Sequence, residues 1–137
     1  MTSTPTAPTD SSPAAPTTAP TVLIVDDSRV SRLVARQYIL ALHADWTVVE
    51  AATGEEALAR APEVQPQLVL MDVNMPGMGG IACAEKLRAL LPDAHISLLT
   101  ANVQDATRNR ASEIGVGFME KPITPERIAR LTALLGH

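Results

Sequence analysis

The chain has 137 residues, a formal charge of -4 and a single cysteine. That length fits one domain able to bury roughly two-thirds of its unfolded surface, and the lone cysteine excludes an internal disulfide and a multi-cysteine zinc site. Its charges are interspersed, with no Lys/Arg run to track a phosphate backbone, no basic-then-apolar leader and no apolar stretch near the ~20 residues of a membrane span, so the expectation is a cytoplasmic protein without nucleic-acid or membrane partners.

Residues 1–21 are almost wholly Thr, Pro, Ala and Ser, with Asp10 the one charge. Such a segment buries too little apolar surface to offset its ordering entropy, which predicts a disordered, partly extended tail ahead of one folded domain over 22–137. With Met1 at its start and no length left for an effector domain, the chain is expected to be a single-domain protein.

From Thr21, strand and helix patterns alternate five times, with connections short enough for βα units. VLIV (22–25) predicts the first strand, and the first helix should run from about Arg29 to Leu42. WTVVE, Trp46 to Glu50, is a β-branched second strand. Thr53 followed by Glu56 has capping-box spacing and opens a second helix through Ala61. LVLM (68–71) predicts the third strand; the third helix follows Gly79 and Gly80 and stops before Pro92. Within it, Cys83 shares a face with Ile81, Ala84 and Leu87 and reads as a small buried hydrophobe rather than a redox centre.

ISLL (96–99) predicts the fourth strand. The fourth helix, from about Val103 to Ile114, carries only a thin apolar stripe in Val103, Ala106, Ala111 and Ile114, with Gly115 suited to its C′ position, and should be the least firmly packed. VGFM (116–119) is the fifth strand. The last helix takes Thr124 as N-cap and Pro125 at N1, then should bury Ile128, Leu131, Leu134 and Leu135 before ending at Gly136.

Apolar runs of this length between helical patterns read as buried parallel strands, so the fold class is α/β: a flavodoxin-like (βα)5, doubly wound, with a five-stranded parallel sheet in the order 2-1-3-4-5. Ligands bind such sheets at the carboxyl ends of the strands, near the switch point between the first and third. Asp26 and Asp27 end the first run, Asp72 the third and Thr100 the fourth, while Lys121 follows the fifth with one residue between. Three carboxylates, a hydroxyl and an amine are thereby expected at one edge. Two carboxylates about 4 Å apart repel by roughly 4 kcal/mol at an effective dielectric near ~20, so three need more than the one charge of Lys121. A hard cation with oxygen ligands supplies the remainder, which predicts a Mg²⁺ site. His43, His95 and His137 are scattered away from this edge and take solvated or structural roles. A carboxylate here can also be the nucleophile of a phosphoryl transfer, forming an aspartyl phosphate.

Singly, these residues have plainer readings. An acidic pair before a helix is often a cap, Asp72 could be a turn residue, Thr100 a cap for the fourth helix, and Phe118, the one phenylalanine, a core side chain. Lys121 stands out more, since Lys86 is the only other lysine. The joint placement favours a site. VDDS (25–28), DVNMPGMGG (72–80), TA (100–101) and KP (121–122), in that order, resemble the receiver domain of two-component response regulators over everything but the tail.

The resemblance implies that Asp72 accepts a phosphoryl group from a histidine kinase or histidine phosphotransfer protein. It implies Mg²⁺ held at Asp72, by Asp27 directly, by Asp26 mostly through water and by the Asn74 backbone carbonyl. Thr100 would hydrogen-bond the phosphoryl group, Lys121 would pair with it, and Pro122 would follow a cis peptide bond. Phe118 occupies the place of the family's switch aromatic, whose inward rotation accompanies the movement of Thr100 and alters the face of the fourth helix, fifth strand and fifth helix for a downstream protein. Asn74 and Asn102, two positions beyond Asp72 and Thr100, would influence dephosphorylation, with small Ala101 leaving the phosphoryl group open to attack. The expectation is a signalling protein rather than an enzyme, monomer or weak dimer, acting as a chemotaxis-type messenger, a relay intermediate or a phosphate sink. Three rivals share parts of this pattern. A haloacid-dehalogenase-type phosphatase would need a second acid where Asn74 stands, and a flavin binder would need more aromatics than this chain has. A phosphorylation-independent interaction module would not need the full acidic, hydroxyl and lysine set.

Overall fold

The computed structural model describes residues 19–73, 79–101 and 105–135. The elements alternate as β1 Thr21–Val25, α1 Arg29–Leu42, β2 Thr47–Ala51, α2 Gly54–Val64, β3 Leu68–Asp72, α3 Gly80–Leu90, β4 His95–Thr100, α4 Asp105–Ile114, β5 Gly117–Glu120 and α5 Pro125–Ala133. All five strands are parallel, in the order β2-β1-β3-β4-β5.

Period-two alternation splits the strand side chains between two layers. Leu23, Val25, Val69, Met71, Ile96 and Leu98 pack with Ala57, Ala61, Ala84, Leu87 and Ala111 of α2, α3 and α4. Val22, Ile24, Leu68, Leu70 and Leu99 pack on the other side with Ala35, Ile39, Ile128 and Leu131 of α1 and α5. Each fully buried Leu, Ile or Val contributes about 1.5–3 kcal/mol relative to exposure, so these two layers hold the strand ends in place. Cys83 is buried in the first layer, its Sγ 3.5 Å from the Gly54 carbonyl, and burial pushes its thiol up to about 11.

The caps follow the local sequence. Thr53 and Glu56 bracket the start of α2: Thr53 Oγ1 accepts from the Glu56 N–H at 3.0 Å, and Glu56 Oε1 accepts from the Ala52 N–H at 2.7 Å. Thr124 caps α5, with Pro125 in its first turn. At the end of α4, Gly115 at φ 76° lets the Val116 N–H reach the Ala111 carbonyl at 2.9 Å and its own N–H reach that of Ser112 at 3.2 Å, the paired bonds of a Schellman motif.

Four expectations shift. The second strand starts at Thr47 because Trp46 belongs to the preceding turn, where its N–H bonds the His43 carbonyl at 3.0 Å and its ring stacks on the His43 ring at 3.9 Å. The second helix runs past Ala61 to Val64: Pro62 removes one hydrogen bond, yet the Gln65 N–H closes the last turn on the Ala61 carbonyl at 2.9 Å. The fifth strand is an edge strand and largely exposed rather than buried, since among the described residues only β4 pairs with it and α4 offers it little cover. Leu134 is 58% exposed, because it lies beyond the last turn of α5 while Leu135 reaches back to the core. In α4, Ala106 is exposed and Ala111 alone of the described residues is buried; Val103 and Gly136 lie outside the described residues. Among the described residues no helix is long and apolar enough to cross a membrane.

Candidate functional site

The first strand delivers Asp26 to the carboxyl edge with its backbone still tied to β2, the Asp26 N–H donating to the Ala51 carbonyl at 3.1 Å. The chain turns only after this residue, so the side chain stays almost wholly buried at 2% exposure. Its Oδ1 accepts from the Ser28 N–H at 2.8 Å, and Ser28 in turn caps α1 by accepting from the Ser31 N–H at 3.3 Å. Asp27, next along, is exposed.

Asp72 closes β3 and is buried. Beyond it the Val73 N–H donates to the Leu99 carbonyl at 2.9 Å, which keeps the strand end in register with β4. The first residue of α3 packs directly on this end: a β-carbon at Gly80 would overlap the Asp72 carbonyl oxygen and sit 2.7 Å from the Val73 Cα. Glycine is what lets the helix begin so close. One oxygen each from Asp26, Asp27 and Asp72 fall within 4.8 Å of one another.

Thr100 ends β4, buried, in register with Glu120 of β5. Its carbonyl accepts from the Lys121 N–H at 2.7 Å, which brings Lys121 back over the edge. The Lys121 Nζ lies 3.4 Å from Asp72 Oδ1 and 3.7 Å from Asp26 Oδ2. The Lys121–Pro122 peptide bond is cis.

Burial pushes the Asp26 carboxyl above its ordinary range; nearby Asp72 and Asp27 push the same way, while the Ser28 N–H and Lys121 oppose them. At this spacing each carboxylate pair repels by about 3–4 kcal/mol at an effective dielectric near 20, and Lys121 offsets only part of it. Three oxygen donors sharing an electron-rich pocket with one lysine fit a hard divalent cation.

Asp26, Asp27, Asp72 and Lys121 thus come together, with Thr100 at the adjacent strand end. Phe118 does not join them: it sits in β5, 37% exposed, with the Arg108 guanidinium 5.5 Å from its ring centroid. Asn74 and Asn102 lie outside the described residues. His43 bonds Thr132 Oγ1 at 3.1 Å, a link between α1 and α5, and His95 is exposed.

Three supporting roles at this edge escaped the motif reading: those of Ser28, present there only as the last letter of VDDS, of Gly80 as a contact with Asp72, and of Arg32. The Arg32 Nη1 donates to the Asp26 carbonyl at 2.6 Å and its Nε to Glu50 Oε1 at 2.9 Å. Its signal was the i, i+4 spacing of Arg32 and Arg36, two basic residues on one helix face opposite Glu50 of the second strand.

A family model described as the response regulator receiver domain matches residues 22–133. Among curated proteins, the response regulator GacA of Pseudomonas viridiflava is 36% identical over 101 residues, 73% of this chain and 47% of that protein. The response regulator protein VraR of Staphylococcus aureus is 38% identical over 96 residues, 69% of this chain and 46% of its own length. The chain therefore spans about half the length of these relatives. Among solved structures, the chemotaxis protein CheY4 of Vibrio cholerae superimposes with a TM-score of 0.77 at 28% identity, covering 85% of this chain and 98% of that one. A response regulator structure from Chloroflexus aurantiacus gives 0.76 at 27% identity, covering 85% and 97%. These matches set aside the dehalogenase and flavin-binder readings of the shared architecture. With a parallel sheet in the 2-1-3-4-5 order, an acidic cluster at its switch point and a family match over nearly all of the described chain, this protein belongs to the receiver domain family of two-component response regulators.

Proposed function

We propose that this chain accepts a phosphoryl group on Asp72 from a histidine kinase or histidine phosphotransfer protein, and that the modification changes its affinity for a downstream protein. Receiver domains are signalling modules rather than enzymes in the ordinary sense, and they interact with such histidine-phosphorylating partners. The observation that carries the reading is the buried Asp72 carboxylate, ion-paired to Lys121 at 3.4 Å and clustered with Asp26 and Asp27.

In the reaction an Asp72 carboxylate oxygen attacks the phosphorus of a phosphohistidine. The new O–P bond forms as the N–P bond breaks, and the bonding pair leaves with the imidazole nitrogen, which takes up a proton. Asp26, Asp27, Asp72 and the Asn74 carbonyl would hold Mg²⁺, which would neutralise charge on the phosphoryl oxygens. Lys121 pairs with the phosphoryl group, and the Thr100 hydroxyl donates to it. Pro122 follows Lys121 as part of the same turn.

Phosphorylation adds close to two negative charges at the end of β3. Thr100 is drawn towards them and Phe118 follows from its exposed position in β5, which remodels the face of α4, β5 and α5. A groove of about 400 Å³ already lies there, lined by Phe118, Met119, Glu120, Arg127, Arg130, Leu131 and Leu134. It is the surface on which the downstream partner is read.

Asp72→Asn is expected to abolish labelling by a phosphohistidine donor or a small acyl phosphate, and chelation of Mg²⁺ to abolish it in the unaltered chain. Labelling that survives either change contradicts the reading.

A further inference from the structure

We propose that Arg32 is a positioning residue for the acidic site: anchored on Glu50, it grips the Asp26 carbonyl and thereby fixes the peptide that joins Asp26 to Asp27. The inference rests on the reading of this cluster as a Mg²⁺ site.

Arg32 lies one turn into α1, its own N–H bonded to the Ser28 carbonyl at 3.1 Å, with a side chain only 14% exposed. From there the guanidinium uses two donors at once, Nη1 on the Asp26 carbonyl at 2.6 Å and Nε on Glu50 Oε1 at 2.9 Å. The spacing of these donors is rigid, so the carboxylate of β2 sets where the carbonyl of the β1–α1 turn can lie. Asp26 is then held at its N–H by Ala51, at its carboxylate by Ser28 and at its carbonyl by Arg32. The Asp26–Asp27 peptide is planar, and orienting its carbonyl orients the Cα of Asp27 with it. Asp27 is exposed, so its placement depends on this backbone more than on packing.

Glu50 also answers the charge of Arg32, so the arginine serves the turn without standing as a free cation that would compete for the carboxylates. Arg36 provides the contrast. Its Nη1 meets Glu50 Oε2 at 3.3 Å and the Val48 carbonyl at 3.4 Å, tying α1 to β2 through bonds that do not involve the Asp26 carbonyl.

The test is Mg²⁺ titration of the full, unphosphorylated chain by calorimetry, with thermal unfolding in chelator recorded for each variant. Arg32→Ala is expected to bind Mg²⁺ about tenfold more weakly, the loss usual when a group that orients a metal ligand is removed. Arg32→Lys keeps the charge and stem but not the fork, so it should recover thermal stability and not affinity. Arg36→Ala should lose stability while binding Mg²⁺ as the parent does. Because loss of affinity is not loss of chemistry, phosphorylation of Arg32→Lys by an acyl phosphate should return towards the parent rate at saturating Mg²⁺. Unchanged affinity in Arg32→Lys, or an equal loss in Arg36→Ala, overturns the positioning role alone. A parent chain that takes up no Mg²⁺ overturns the underlying reading as well.

Discussion

Asp26 is held where a negative charge is costly, buried and beside two further carboxylates, and its carboxyl is pushed up as a result. A folded state that keeps the proton at a pH where the unfolded chain has released it loses stability as pH rises through that window. The penalty begins above the ordinary aspartate range and is complete once the folded carboxyl ionises. Asp26→Asn removes it while still accepting the Ser28 N–H, so in chelator the variant is expected to melt at higher temperature than the parent at neutral pH. That advantage should shrink as pH falls towards 4, the unperturbed aspartate range. Equal melting at every pH would mean the cluster is not strained. Gly80 makes the opposite case. Alanine is ordinarily better in a helix by about 1 kcal/mol, but here its β-carbon would strike the Asp72 carbonyl. Gly80→Ala should therefore destabilise the domain in urea titrations and slow labelling at Asp72; a stabilised, normally labelled variant would show that α3 has room to retreat.

Among the elements, α1 and α5 enclose one face with Ala35, Ile39, Ile128 and Leu131, whereas α4 buries Ala111 alone among its described residues. The helix that the proposed switch would move is thus the one that buries least. Phe118 lies beside it on the edge strand with Arg108 over its ring, a contact worth about 0.5–1 kcal/mol at an exposed position. Phe118→Ala should leave phosphorylation of Asp72 largely intact while reducing the difference in partner affinity between the two protein states, a coupling typically of ~1–3 kcal/mol. Titrating the partner against both states of the variant measures it, and an undiminished ratio would remove Phe118 from the switch. The weak apolar stripe of the fourth helix was legible because burial needs a continuous face, and the thin spacing around Ala111 could not supply one. The exposure of Phe118 and Leu134 was not, since VGFM reads the same at a sheet's centre as at its edge, and a leucine near a helix end reads as core unless the last turn is known.

Across the whole molecule, the sheet order sets the first and third strands side by side, so residues far apart in sequence, Asp26, Asp27, Asp72 and Lys121, share one edge. Side chains that end apolar runs could be read from the chain because strand ends in an open α/β sheet share one rim. The support beneath them could not. Arg32 acts on a backbone carbonyl and leaves only its i, i+4 spacing with Arg36, while Gly80 acts by lacking a side chain and Ser28 through its own N–H, and neither of those leaves a pattern of polar spacing. On the proposed function, the rim serves to modify Asp72. Mapping the modified residue by mass spectrometry after incubation with a phosphohistidine donor and Mg²⁺ tests this. A hydroxylamine-labile acyl phosphate on the Asp72 peptide alone is the expected result; phosphate on any other residue, or none at all with an active donor, would contradict it.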